Sequence, residues 1–151
     1  MTMPTIRAAS HIDVARIAEI GAVLHAESPR FSRLNLSTPK LMQLFLMLIE
    51  SPDGLLLVAD RAGAVVGGMA GVVTPHWFSD DLVSNDYGVF LLPDQRGGMT
   101  AARLVRGYIE WAKAKGAKMI QLGISTGVQT EETVSLYRAL GLKQFSVGFE
   151  G

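Results

Sequence analysis

The residues with the greatest chemical capacity are concentrated at Arg96-Gly97-Gly98-Met99-Thr100-Ala101. Arginine brings a permanent positive charge and a fork of donors. Paired glycines let a bulky anion approach the main chain. A helix that starts in this stretch would also present N–H groups with no intrahelical acceptor, at the end where its dipole favours negative charge. Together these make a ready anion site, and an ordinary strand–turn–helix with no ligand shares the same grammar. No Gly-Lys-Ser/Thr follows, so it is not a P-loop, and Gly97-Gly98 does not fit G-x-G-x-x-G. Elsewhere the capable side chains are sparse. The three histidines are scattered, no paired carboxylates accompany them at ligand spacing, and no metal site is expected. Without cysteine there is no thiolate nucleophile and no disulfide framework.

The elements around that turn can be read from the residue pattern. Tyr87 to Leu92 is an apolar run rich in aromatic and β-branched residues, the pattern of a strand buried on both faces. Pro93 ends it, since proline has no ladder N–H. A helix from about Gly98 to Lys115 follows, with Ala101, Leu104, Val105, Tyr108 and Ala112 on one face and Arg103, Arg106, Glu110 and Lys113 on the other. Gly116 stands where a C-terminal cap belongs.

Before it, Ile6 to Ala9 reads as a strand and Ile12 to His25 as a helix, with Ser10 as cap and Asp13 in the first turn. Phe31 to Ser37 is a loop. Thr38-Pro39 opens a second helix whose Leu41–Ile49 stretch is almost continuously apolar, so it is buried core, a contact with a partner, or the border of an apolar substrate channel. Leu55 to Ala59 and Ala64 to Val73 form a hairpin across Asp60–Gly63. Gly67, Gly68 and Gly71 mark a bulge or a close backbone approach. A loop with His76, Trp77 and Phe78 leads into the Leu82–Leu92 strand. After the central helix come a strand at Met119–Ile124, the loop Ser125-Thr126-Gly127, a helix from Thr130 ended by Gly141, and a last strand at Gln144–Phe149. The order β-α-α-β-β-β-α-β-α-β is an α/β layout with an antiparallel front half, in one domain over residues 1–151.

The 151 residues suffice for one domain with a real core. Fourteen basic and fourteen acidic residues balance, which removes any general argument for nucleic acid or an anionic membrane as partner. No apolar run approaches membrane-span length and no signal pattern opens the chain, so a cytoplasmic protein is expected.

The Arg96–Ala101 stretch resembles the acyl-CoA pyrophosphate loop of the GNAT superfamily of N-acetyltransferases, Gln/Arg-x-x-Gly-x-Gly/Ala. Arg96 and Ala101 fit its first and last positions, and Met99 stands where the central glycine usually is. Gly97-Gly98 is similar to the Arg-Gly-Gly loops of phage-type members, as is the stretch Gly127 to Leu142. Leu136-Tyr137-Arg138-Ala139-Leu140-Gly141-Leu142 resembles the family's Leu-Tyr-x-x-x-Gly-Phe, and the element order is that of the family along nearly the whole chain.

The resemblance implies acetyl transfer from acetyl-CoA to a primary amine of a small molecule or peptide. It places the backbone of Val89, Phe90 and Leu91 against the pantetheine arm and that of Arg96, Gly97, Gly98, Met99, Thr100 and Ala101 around the pyrophosphate. The strands ending at Leu92 and Ile124 would splay, with Ser125 at the mouth. Tyr137 would give a proton to the departing thiolate. The attacking amine needs a base. Asp86 is the first candidate, with Glu27, Glu50 and His76 behind it. His76-Trp77-Phe78 and Phe31–Ser37 are expected to border the acceptor. Family members usually end in a two-strand hairpin where this chain has one strand. That open edge and the apolar Leu41–Ile49 helix predict a homodimer. An acyl-CoA-binding or regulatory protein without turnover, and a phage-type protein with a structural or anti-host role, fit the same residues.

Overall fold

The computed structural model describes residues 2–151. Its elements are β1 (Thr5–Ala8), α1 (Val14–Glu27), α2 (Thr38–Glu50), β2 (Gly54–Arg61), β3 (Ala64–Pro75), β4 (Leu82–Leu91), α3 (Thr100–Ala114), β5 (Met119–Ile120) and α4 (Thr130–Ala139). Five strands form one sheet in the order β1-β2-β3-β4-β5, antiparallel except for the parallel pair β4 and β5. The sheet separates two apolar layers. On one side Val14, Ile17 and Ile20 of α1 and Phe45 and Leu48 of α2 pack on Leu56, Val58 and Ala70. On the other, Leu104, Val105 and Tyr108 of α3 and Tyr137 of α4 pack on Leu55, Met69 and Leu91. Each such buried aliphatic side chain contributes on the order of 1.5–3 kcal/mol.

Local chemistry accounts for the boundaries. The Ser10 N–H donates to the Asp13 carboxylate at 2.8 Å at the entry to α1, and Arg7 donates to both oxygens of that carboxylate at 2.8 and 3.0 Å. The cap of α2 is Ser37, whose Oγ accepts from the Lys40 N–H at 3.3 Å, one residue before the Thr38 that the sequence suggests. The β2–β3 turn is closed by the Asp60 carboxylate accepting from the Gly63 N–H at 2.7 Å.

Two register shifts occur beside the glycines of β3. Val66 is the extra residue opposite Ala59/Asp60, and Tyr87 is the extra residue opposite Ala70/Gly71. At the second bulge Gly88 takes φ +155°, a conformation side-chain-bearing residues rarely adopt. Gly71 lies against Tyr108, so that a Cβ there would come within 2.6 Å of its ring.

Two expectations are corrected, and for the apolar second helix the core alternative is the one observed. Gln144–Phe149 is not a strand: the segment pairs with nothing and is exposed throughout, because alternating apolar residues form a strand only where an edge accepts them. The fifth strand stops at Ile120, not Ile124, since β4 turns away and the ladder ends. The apolar α2 is largely consumed by its own chain. Leu41, Met42, Leu44, Leu46 and Ile49 pack on the α1/α2 core, leaving Met47 half exposed. That helix is therefore no argument for a dimer.

Candidate functional site at the strand fork

Between β4 and β5 the ladder is short. Lys118 N–H donates to the Leu82 carbonyl at 2.8 Å, and Gln121 N–H to that of Ser84 at 3.1 Å. At the next step the Gly123 N–H is met by the Asp86 side chain, Oδ1 at 2.9 Å, rather than by β4 backbone. The strands have separated by the length of a carboxylate, and beyond Asp86 they fork.

The open side of β4 follows from alternation. Leu92 N–H bonds Val66 on the β3 side at 3.0 Å, so Leu91 and Val89 present their main-chain groups to the fork. Phe90, expected with them, is the exception. Its main chain faces β3 opposite Gly68, and its ring stacks on Phe45 at 6.5 Å in the α1/α2 layer.

Asp86 lies opposite Gly71, which places it on the α3 face beside Tyr108. Burial raises its pKa from 3.8 to about 6, against the opposing pull of the Gly123 N–H. Tyr137 is 9% exposed, and burial, with the nearby Asp86 charge and Tyr108 behind it, pushes its phenol well above the ordinary range. Among the described residues no buried side-chain polar atom lacks a partner, so the Tyr137 hydroxyl, which bonds no protein group, opens to solvent. A phenol so placed keeps its proton at neutral pH and can donate it.

Tyr108 was legible in the sequence only as a core residue, but it pins the base of the fork. Its hydroxyl donates to the Gln121 carbonyl at 2.6 Å and lies 2.9 Å from the Ser84 Oγ. A phenol has one proton and a carbonyl can only accept, so Ser84 donates to Tyr108. Burial raises the Tyr108 pKa to about 12.

At the far end of β4 the turn before α3 is open. Gly97 has φ +92°, and a Cβ built on Gly97 or Gly98 would touch nothing within 4 Å. Met99 is the residue before the helix, at φ −90° and ψ −1°, a conformation that needs no glycine, and its side chain is 57% exposed to solvent. The methionine therefore leaves the turn unobstructed. The first hydrogen bond of α3 runs from Arg103 N–H to the Met99 carbonyl at 3.0 Å, which leaves the preceding N–H groups for an anion. Thr100 is buried and Ala101 half-buried at the helix start.

The Arg96 side chain is not free to meet a ligand. It holds Glu27 at the end of α1 in a bidentate pair at 2.7 and 2.8 Å and donates Nε–H to the Leu91 carbonyl at 3.2 Å. Arg96 thus braces the turn, and its guanidinium keeps the Glu27 carboxyl below its usual range. As a base, Glu27 is engaged elsewhere. Glu50 is exposed beside His11 at 3.4 Å, and His76 meets Phe78 edge to face in the β3–β4 tip, ring centroids 4.0 Å apart. That tip, with Trp77 88% exposed, precedes Leu82 at the opposite end of β4 from the glycine turn, so it does not border the turn. The chain just before Phe31–Ser37, rather than that stretch itself, reaches the 125–126 loop. Ser28 Oγ donates to the Thr126 carbonyl at 2.6 Å, and Arg30 to that of Ser125 at 3.2 Å. Among the described residues no group of three or more His, Asp or Glu could hold a metal, and no helix is long and apolar enough to cross a membrane.

Among the described residues the parallel strand pair forks, with a glycine turn and a helix N-terminus at the end of one prong, an arrangement with room for an extended, anion-bearing ligand between the strands. The particular family follows from comparison. The acetyltransferase (GNAT) family model matches residues 21–142, and the chain belongs to that family. No curated protein sequence matches it. Its fold is similar to that of a transcriptional regulator from Bacillus halodurans C-125, at 23% identity and TM-score 0.78 over 98% of each chain. It is also similar to an aminoglycoside acetyltransferase from an uncultured soil metagenomic sample, at 21% identity and TM-score 0.72 over 99% of this chain and 97% of that one. An acetyltransferase of Trypanosoma brucei matches at 19% identity and TM-score 0.73 over 97% and 96%.

Proposed function

We propose that the protein transfers an acetyl group from acetyl-CoA to a primary amine by direct attack in a ternary complex. The observation that carries this reading is the fork itself, where the Asp86 side chain takes the Gly123 N–H in place of β4 backbone and whose prong ends in the open Gly97-Gly98 turn. The glycine turn and the α3 N-terminus receive the pyrophosphate, and the main chain of Val89 and Leu91 lines the arm. Acetyl-CoA supplies the activated acyl thioester. Asp86 accepts the amine's proton as the N–C bond forms, and its raised pKa leaves it ionised yet basic at neutral pH. Tyr137 gives its proton to the sulfur as the C–S bond breaks. Small-molecule acceptors are in keeping with the aminoglycoside acetyltransferase among the structural neighbours.

Calorimetric titration with acetyl-CoA tests this first, with ATP as control. Micromolar binding that requires the CoA moiety is expected, together with acetyl-CoA-dependent acetylation of an amine. Gly98→Glu sets a carboxylate in the open turn and should weaken binding at least tenfold with no loss of folding. An acyl-CoA-binding protein without turnover would bind and acetylate nothing. No binding at millimolar acetyl-CoA would sink both readings.

The protein is further proposed to be a homodimer, on the ground that Phe145, Val147 and Phe149 are exposed on a segment that pairs with no strand. Light scattering at micromolar concentration should give twice the monomer mass; a monomer would remove the proposal.

A further inference from the structure

The 28–33 turn carries two arginines, and both are held in place. Arg30 lies over the Phe31 ring at 4.7 Å and donates to the Ser125 carbonyl at 3.2 Å. Arg33 donates Nε–H to the Arg30 carbonyl at 3.1 Å. Each spends its remaining reach on the same carboxylate, that of Glu150: Arg30 Nε at 3.0 Å to one oxygen and Arg33 at 2.9 Å to the other. Two oriented guanidiniums around one planar carboxylate are a recognition geometry, stronger and more directional than a lone surface pair. The occupant is loosely supplied. Glu150 sits on the exposed segment after α4 that pairs with no strand.

The position matters more than the pair. Ser125 follows Gly123 by two residues, and Gly123 is bonded to Asp86. Ser125, whose carbonyl Arg30 holds, therefore lies at most roughly 7 Å along the chain from Gly123, whose N–H Asp86 binds, the extended reach of two residues. Resting on the acetyl-transfer reading, we infer that Arg30 and Arg33 form a carboxylate receptor at the mouth of the fork, filled in the free protein by Glu150, and that the acceptor is an amine bearing its own carboxylate several bonds away. The amine reaches Asp86 while the carboxylate displaces Glu150. A polycationic acceptor gains nothing from this mouth, where the guanidiniums outnumber the one carboxylate.

The test uses 5-aminopentanoate, whose amine and carboxylate stand about 6 Å apart when extended, and butylamine, which lacks the carboxylate. Each is titrated into the full-length protein while the Arg30 and Arg33 Nε–Hε resonances are followed by NMR. Saturable shifts with 5-aminopentanoate and none with butylamine are expected. Glu150→Gln, which vacates the receptor, should tighten 5-aminopentanoate binding about tenfold, and Arg33→Gln should weaken it by a similar factor. Equal binding of butylamine, or an affinity unmoved by Glu150→Gln, would overturn the inference. The titration needs neither acetyl-CoA nor turnover. A protein that binds 5-aminopentanoate as described but acetylates nothing would fail the acetyl-transfer reading alone. One that acetylates butylamine as well as 5-aminopentanoate would fail this inference alone.

Discussion

Asp86→Asn is expected to slow acetyl transfer by about two to three orders of magnitude and, at pH 8, to make the protein more stable. The rate loss is what a positioned general base contributes. Asparagine keeps an oxygen for the Gly123 N–H but cannot take a proton. The stability gain has a separate origin, the cost of holding a carboxylate in the fork. Folding raises the Asp86 pKa from 3.8 to about 6 through burial. Between those values the folded chain therefore holds a proton that the unfolded chain has lost, and stability falls as pH rises through the window. The full penalty stands above about pH 6, of order 2 to 3 kcal/mol, and vanishes near pH 4.

Asparagine carries no charge at any of these values. Denaturant unfolding of the two proteins should coincide near pH 4 and diverge above pH 6, with the variant ahead. A variant of equal or lower stability at pH 8 would show that the carboxylate is well solvated. In the native enzyme kcat/KM should fall tenfold per pH unit below about 6, and that limb should be missing from the residual rate of Asp86→Asn.

How far the sequence discloses this site depends on how local each feature is. The β4–turn–α3 unit was legible because its signals are contiguous: an apolar run, Pro93, two glycines and a helix of period 3.6. Met99 is informative in a different way. As a letter it departs from the loop pattern, but its αR backbone shows that glycine was not required there. The fork itself entered through resemblance alone, since nothing in Met119–Ile124 announces where β5 will leave β4.

The residues that hold the fork were invisible as a group. Tyr108 reads as one more apolar-face residue, and only its proximity to Gly71, Ser84 and Gln121 gives its hydroxyl a purpose. The Glu27–Arg96 brace joins residues far apart in sequence. The local pattern presents Arg96 as a free charge for a ligand, but its partner comes from α1 and occupies it. Gln144–Phe149 shows the opposite case, a local pattern with no partner to meet it. Its alternation is a genuine strand signal, yet no edge within the chain meets it.

Tyr137→Phe is expected to lower kcat about a hundredfold while leaving acetyl-CoA affinity within twofold. The ring is buried among Leu104, Val105 and Leu91 in the layer beneath α3, and phenylalanine preserves that packing. The hydroxyl makes no protein hydrogen bond whose loss would cost stability, so unfolding should be unchanged or slightly improved. What disappears is a proton poised in the fork. The buried phenol beside the Asp86 carboxylate cannot ionise at neutral pH, and a thiolate departing without it must take its proton from water. A fall in kcat and kcat/KM together, with the dissociation constant for acetyl-CoA unmoved, is the signature of an interaction made only in the transition state. Single-turnover measurements with an activated, low-pKa thiol leaving group supply the decisive contrast. Such a group needs no proton, so the variant and the native enzyme should react at nearly the same rate. An equal deficit with both leaving groups would make Tyr137 a packing residue and return the proton-donor role to solvent.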